Sequence, residues 1–270
     1  MAVSSQRRFS LGWVPDLPDH RDLVYSAPLQ RLRQLPASVD LRPQFLFEPY
    51  DQGAIGSCTA NAIAAAIQFD RAKNKQKPDF TPSRLFIYYN ERAMEHSIPI
   101  DAGAQIRDGI KSVAKQGACK ETTWPYEAMP ADPNTELFPP HSPPVTKPPT
   151  NAYHEAESYK AVSYFRVPQS LAQMKGCLAD GFPFVLGFSV YENIYDASGN
   201  PVTVLPMPSG GQVGGHAVLA VGYDDTKQLF TIRNSWGTTV QDHGHFYMPY
   251  SYATDSNLAD DLWTIRLIKA

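Results

Sequence analysis

A run of apolar residues constrains this chain more than any other feature. Ala60, Ala62, Ile63, Ala64, Ala65, Ala66, Ile67 and Phe69 leave a helix there without a polar face. A helix that is apolar all round belongs in the interior. Gly53, Gly56 and Ser57 precede the run, and Ser57 stands at the N-cap position. Cys58 then falls in the first turn, where backbone N–H groups and the helix dipole favour an anion. A thiol so placed tends toward the thiolate, the form that acts as a nucleophile. A cysteine taken alone more often packs as a small hydrophobe, so the rest of the chain has to decide.

The 270 residues are enough for one large core or for two smaller ones around a cleft. A formal net charge of −3 gives no reason to expect nucleic acid or an anionic membrane as partner. No run of about 18 apolar residues occurs, so no membrane-spanning helix is expected. Arg7 and Arg8 are not followed by an apolar stretch, so no conventional secretory signal is expected. That reading points to the cytoplasm or to release by another route. Three cysteines are too few for a disulfide framework. If Cys58 is reactive, only Cys119 and Cys177 remain to pair, and whether they meet is open. The 24 prolines are well above the usual share of about 5% and imply extended, irregular segments.

Residues 1–35 do not look like a domain. Pro15, Pro18, Pro28 and Pro36 interrupt any regular element, yet Phe9, Leu11, Trp13, Val14 and Leu17 are anchors that a disordered tail does not need. The segment is expected to lie extended on the rest, either completing the fold or plugging a cleft. Residues 36–50 read as an extended lead-in. After the Cys58 helix, Thr81 and Pro82 are expected to open a second helix, as N-cap and first helical residue, running to about Met94. A third spans about 104–116, with Ile106, Ile110, Val113 and Ala114 on one face and Gly117 as its stop. Residues 129–149, with eight prolines, read as a surface excursion. A fourth helix is expected over about 169–179. Strands follow at about 182–190, 216–223, 229–235, 245–248 and 262–268. A helical half, about 50–160, is thus succeeded by a half rich in antiparallel strands, about 161–270, with a cleft expected between them.

Gly214-Gly215-His216-Ala217-Val218 puts a histidine near the start of one strand. Arg233-Asn234-Ser235-Trp236-Gly237 puts an asparagine and a tryptophan at the end of the next. A hairpin brings His216 and Asn234 together. Amide hydrolysis by a thiol needs a base that takes its proton and returns it to the leaving amine, which histidine does near neutral pH. An Asn carbonyl holds that ring in one tautomer. The tetrahedral intermediate needs donors, which the Cys58 N–H and the Gln52 side chain supply. Trp236 is placed to keep water from the His–Asn hydrogen bond. His243-Gly244-His245 reads as a loop running into a strand, and no metal is expected there.

The order Gln, Cys, His, Asn, in the strings QGAIGSC, GGHAV and RNSWG, resembles the papain family of cysteine peptidases. VDLR at 39–42 and Trp124-Pro125-Tyr126-Glu127 resemble two further family strings, and GWVPDLPDHRD at 12–22 resembles a bacterial branch with a short N-terminal prosegment. The resemblance runs from about Pro36 to the C-terminus. It implies an α+β, papain-like fold with a helical left half and an antiparallel β-barrel-like right half. It implies an endopeptidase, made as a zymogen and needing no cofactor, in which Cys58 is the nucleophile, His216 the base, Asn234 the orienting residue and Gln52 the oxyanion donor. Gly103, Ala104, Gly215 and Trp236 are the residues it sets along the substrate. Residues 1–35 become a prosegment that inhibits its own chain by crossing the cleft opposite to a substrate and is cut off on activation, leaving 36–270 as the catalytic domain. The partners implied are polypeptide substrates, with the protein a monomer.

Four positions depart from the family pattern. Thr59 stands where Trp usually follows the cysteine, Ile55 replaces a half-cystine, Val240 aligns with a second Trp, and Gly215 stands where many plant and animal members carry Asp or Asn. All leave the four catalytic positions intact. An exopeptidase or acyl transferase on the same chemistry, with the loops at 129–149 and 191–213 shaping the cleft, is the alternative within the class. A binding module with a dead cleft is the alternative outside it.

Overall fold

A computed structural model describes residues 10–268; Arg7, Arg8 and Phe9 lie outside the described residues. In chain order the elements are β1 (Trp13–Val14), α1 (Leu29–Arg33), β2 (Ser38–Asp40), α2 (Cys58–Lys73), α3 (Arg84–Met94), β3 (Ala104–Gln105), α4 (Ile106–Gln116), α5 (Thr150–Ala156), β4 (Ala161–Arg166), α6 (Leu171–Ala179), β5 (Phe184–Tyr191), β6 (Gln212–Asp224), β7 (Leu229–Arg233), β8 (His245–Pro249), α7 (Tyr250–Ala253) and β9 (Ala259–Ile268).

The apolar helix is α2, and its lack of a polar face has a direct cause. It packs on β6 and β9 on one side and on α3 and α4 on the other, so every residue from Cys58 to Arg71 is buried. α3 starts two residues later than the Thr81-Pro82 pair suggests. The Ser83 hydroxyl accepts from the Phe86 N–H at 3.1 Å and caps the helix, while Pro82 is drawn into a bridge with Lys120. α4 buries Ile106, Ile110 and Val113, and Gly117, with φ of 83°, ends it. Among the described residues, no helix is long and apolar enough to cross a membrane.

The second half is one antiparallel sheet in the order β4-β9-β5-β6-β7-β8, with β2 added beside β6. β5 lies between β9 and β6 and is buried along nearly all its length. That is why its sequence is continuously apolar rather than alternating. The sheet is open: the expected barrel-like closure does not occur, because β4 and β8 stay at opposite edges. Cys119 and Cys177 do not pair; all three thiols are free and buried.

Residues 10–35 are ordered against both halves. Proline does not prevent a helix here, since α1 follows directly on Pro28. Trp13 and Val14 pair in parallel with Ala104 and Gln105. The segment then crosses to the sheet half, where Tyr25 and Ala27 are buried.

Candidate active site

Cys58 is the first residue of α2, as the sequence places it. The Ser57 hydroxyl does not cap the helix. It meets the Tyr126 hydroxyl at 2.5 Å and accepts from Asn61 Nδ2 at 3.0 Å. The Tyr126 hydroxyl also donates to the Gln52 carbonyl at 2.8 Å. The Trp-Pro-Tyr-Glu string therefore braces the loop that carries Gln52 and Cys58. Asp101 braces it from the other side, accepting the Gly56 N–H at 2.9 Å.

His216 is the fifth residue of β6, deeper in the strand than expected, and Asn234 follows the last residue of β7. These strands are antiparallel neighbours with Leu219 opposite Arg233, which brings the two side chains together. His216 Nε2 and Asn234 Oδ1 are 2.8 Å apart. Asn234 is itself fixed: its Oδ1 accepts the Ser235 N–H at 2.8 Å and its Nδ2 donates to Gln241 Oε1 at 2.9 Å. With Asn Oδ1 as acceptor, the imidazole carries its proton on Nε2. Nδ1 is buried and has no hydrogen-bond partner among the described residues. Trp236 is buried and stacks on the imidazole, with ring centroids 4.8 Å apart. Its place is behind the histidine, covering the His–Asn hydrogen bond.

Gln52 joins the same network. Its Oε1 accepts the Ser235 hydroxyl at 2.6 Å, which turns Nε2 toward the cleft. There Nε2 donates to Ile55 O and to Ser10 O, both at 3.0 Å. The second acceptor belongs to the N-terminal arm, so a peptide carbonyl from the chain itself already sits on the Gln52 amide.

The arm lies over the thiol. Gly12 N–H donates to Gly215 O at 3.0 Å, and Gly12 O accepts the Ala104 N–H at 2.8 Å. The arm is thus a strand suspended between the two halves by Gly215 on one wall and Ala104 on the other. A Cβ at Gly12 would lie 1.8 Å from Gly56 O, and one at Gly103 would lie 2.0 Å from Gly12 O, so backbone meets backbone directly. Trp13 fills a pocket against Gly187 and Gly215 and donates its indole N–H to Asp261 at 3.0 Å. Trp263 returns the contact, donating to Asp16 at 2.9 Å.

This cover sets the electrostatics. Burial pushes the Cys58 thiol up to about 12, although backbone N–H groups of Ala217, Gly12 and Thr59 act to lower it. The thiolate expected from the helix N-terminus is therefore not favoured beneath the arm, because desolvation outweighs the aligned donors. Burial likewise holds His216 down at about 4, against the raising effect of Asn234. Covered, the pair is neutral thiol and neutral imidazole.

Several contributors were not legible in the sequence. Gln241 is a loop residue recognisable only through its contact. Thr59 donates to Glu91 at 2.6 Å, and burial raises that carboxyl well above its usual value. This buried carboxyl thus anchors the residue after Cys58, where the family pattern has Trp. Among the described residues no cluster of ligating side chains able to hold a metal ion occurs.

The papain family cysteine protease profile matches residues 35–264. Xylellain, a cysteine protease from Xylella fastidiosa, is similar in structure over 100% of both chains, with a TM-score of 0.92 and 49% identity. A peptidase C1-like protein of Acanthamoeba polyphaga mimivirus is 36% identical across 95% of this chain and 86% of its own length. A procathepsin B of Trypanosoma congolense, 17% identical, has the same fold over 97% of this chain and 87% of its own, with a TM-score of 0.74.

Proposed function

The chain belongs to the papain family of cysteine proteases, and on that premise we propose that it is an endopeptidase held as a zymogen by its own N-terminal arm. Cys58 is the nucleophile, His216 the base, Asn234 the residue that orients the base, and Gln52 the oxyanion donor. The observation that carries this reading is the arm itself: a continuous backbone crosses above Cys58 with the Ser10 carbonyl on the Gln52 amide.

Once the arm leaves, water reaches the thiol and imidazole and the desolvation that keeps both neutral is relieved. His216 Nδ1 takes the Cys58 proton, and the thiolate attacks the substrate carbonyl carbon. The oxyanion is held by Gln52 Nε2 and the Cys58 N–H. Collapse expels the amine, which takes the proton from Nδ1, and leaves an acyl-enzyme. Water then attacks with the same nitrogen as base, and the thiol is regenerated. Asn234 Oδ1 keeps the other proton on Nε2 throughout. The arm crosses the cleft without a chain end, as an internal stretch of substrate must. Digestion of a long denatured protein should therefore give internal fragments from the start; trimming confined to the termini would rule out an endopeptidase.

Gln52→Ala is expected to lower kcat by roughly 10²–10³-fold with a smaller change in KM. The donor acts on charge that develops in the transition state. Steady-state kinetics on the arm-free enzyme read the split, and a loss confined to KM would assign Gln52 to ground-state binding.

The pH dependence of closure has two opposed sources. His216 is depressed under the arm, so it favours closure fully above its ordinary value of about 6.5 and progressively less as pH falls toward about 4. Asp16 of the arm and Asp261 under it are both raised, chiefly by burial. They weaken closure at neutral pH, and that penalty is relieved as pH falls toward the ordinary carboxylate range. Asp261→Asn keeps an acceptor for Trp13 and removes one titrating group. In that variant, alkylation of Cys58 in the full chain, relative to an arm-free chain, should rise more steeply between pH 6.5 and 4 than in the wild type. An unchanged profile would remove His216 as the acid-sensitive element.

A further inference from the structure

The arm is made of two parts with different attachments. Residues 10–16 are held by the cleft, through the Gly12, Trp13 and Asp16 contacts described above. Residues 22–35 are held outside the cleft, by Arg107 at the start of α4 and by the outer side of the sheet half. Asp22 forms an ion pair with Arg107 at 2.6 Å, with both side chains nearly inaccessible at 7% and 4%. Arg166 on the edge strand β4 donates its N–H to Leu23 O and accepts the Tyr25 N–H, both at 2.8 Å. Those bonds cover part of an edge that is otherwise open to pairing. The Tyr25 hydroxyl donates to Asp180 at 2.8 Å, and the Arg266 guanidinium lies over its ring at 4.7 Å. Ala27 N–H donates to Gln173 at 2.8 Å.

α6 is shaped for this strap. Gly176 lies inside the helix, where glycine is unfavourable relative to alanine. A Cβ there would lie 2.6 Å from the Ala27 Cβ and 3.2 Å from Leu32. The helix gives up propensity so that the strap can lie against it.

Between the two parts runs an exposed stretch. Leu17 is 71% exposed, and Pro18, His20 and Arg21 are also exposed, with a turn at His20 and Arg21. Arg107 grips both ends of it, donating to Leu17 O and to Asp22, so the stretch bows outward. Exposed turns with anchored flanks are preferred sites of proteolytic nicking.

We infer that activation cuts the chain within residues 17–21, and that residues 22–35 stay on the mature enzyme as a structural strap across β4 and α6. This deepens the zymogen reading and rests on it. It replaces the boundary at 35/36 that the sequence suggests. After the cut, residues up to the nick keep only the cleft contacts and the bonds of Asp16 and Leu17 to Gln105 and Arg107. They lose the high effective concentration that the covalent link supplies and dissociate. Removing 22–35 as well would strip the counter-ion from a buried Arg107 and uncover Arg166 and Gly176. The family profile begins at residue 35, so this strap is an addition to the shared fold.

The test uses the full chain carrying Cys58→Ala, nicked with a trace of an added broad-specificity protease and followed by intact mass. The resistant core is expected to begin at residues 18–22; a core beginning at 34–38 would overturn the inference. Gly176→Ala supplies the second readout, on the nicked protein. With the strap in place the methyl collides with Ala27, and Tm should fall by about 3–6 °C. An unchanged or raised Tm, the helix-propensity result, would mean that the strap has gone. Neither readout uses this chain's own chemistry. A zymogen reading that fails shows itself separately, as a nicked wild type that does not hydrolyse peptides.

Discussion

Cys58→Ala is expected to abolish peptide hydrolysis, with a fall in kcat on the order of 10⁵–10⁶-fold, while Tm of the full chain stays within a few degrees of wild type. The reason is positional. Cys58 is the thiol at the N-terminus of α2, close to the backbone N–H groups of Ala217 and Thr59, and Ala217 adjoins His216. The other two thiols have structural roles. Cys177 lies 3.5 Å from Phe182 O with the Arg266 guanidinium beside it, and Cys119 packs with Phe86, Ala152 and Ala156. Neither belongs to the network of Gln52, Ser235, Asn234 and His216. The measurement is kcat on the arm-free enzyme, with active sites counted by an epoxide that alkylates activated thiols. Residual hydrolysis above one part in a hundred would show that another group performs the attack. Loss of Tm by ten degrees or more would make the kinetic result a folding effect instead.

Gly12→Val is expected to convert the full chain from a closed form to an open one. A Cβ at this position meets Gly56 O at 1.8 Å and Gly56 C at 2.4 Å, atoms of the braced backbone loop that leads into Cys58. The loop has little room to yield, because Asp101 and Tyr126 hold it from two sides. Inserting atoms into a packed site costs typically 1–3 kcal/mol and sometimes more, here concentrated on the arm's seat. Since each 1.4 kcal/mol is about tenfold in an equilibrium, the open fraction should rise by about ten- to a hundredfold or more. Cys58 labelling and hydrolysis in the full-length Gly12→Val chain should approach those of a nicked chain, with Tm of the body little changed. Labelling as slow as in the wild type would mean that the arm does not gate the thiol.

The two results bear on different statements. The first concerns which atom attacks, and the second what hides it. A dead cleft used only for binding would leave Cys58 unlabelled even in Gly12→Val, and hydrolysis absent. An arm that merely completes the fold would leave labelling equal in the open and wild-type chains.

Local pattern made much of this protein legible. Period and capping signals located α4 and its stop at Gly117, and an uninterrupted apolar run marked α2 as interior. Strand composition found β5 to β9 within a few residues. The candidate site residues could be named as a set, because thiol chemistry restricts the residue types that can serve and their neighbouring glycines and tryptophan mark close packing. The errors have the same physical source: a contact distant in sequence overrode a local preference. Ser83 took the cap from Thr81 because Pro82 is bridged to Lys120. Ser57 turned its hydroxyl to Tyr126 instead of to the helix. α5 and β4 carry weak patterns and form because the rest of the chain supplies their partners.

What the sequence alone determined is the chemistry on offer: one thiol at the mouth of a buried helix, one histidine and one asparagine on adjoining strands, and an amide six residues before the thiol. What only the tertiary structure decided is the state of that chemistry. Helix N-terminus and sequence neighbours argue for a thiolate, yet the arm excludes water and pushes the thiol up to about 12 and the imidazole down to about 4. The division of the arm at residues 17–21 is equally a matter of packing, since Asp16 and Asp22 read alike in sequence and only their partners across the fold tell them apart. Residue types set which protons can move. Desolvation, a property of everything packed around a group, sets whether they do.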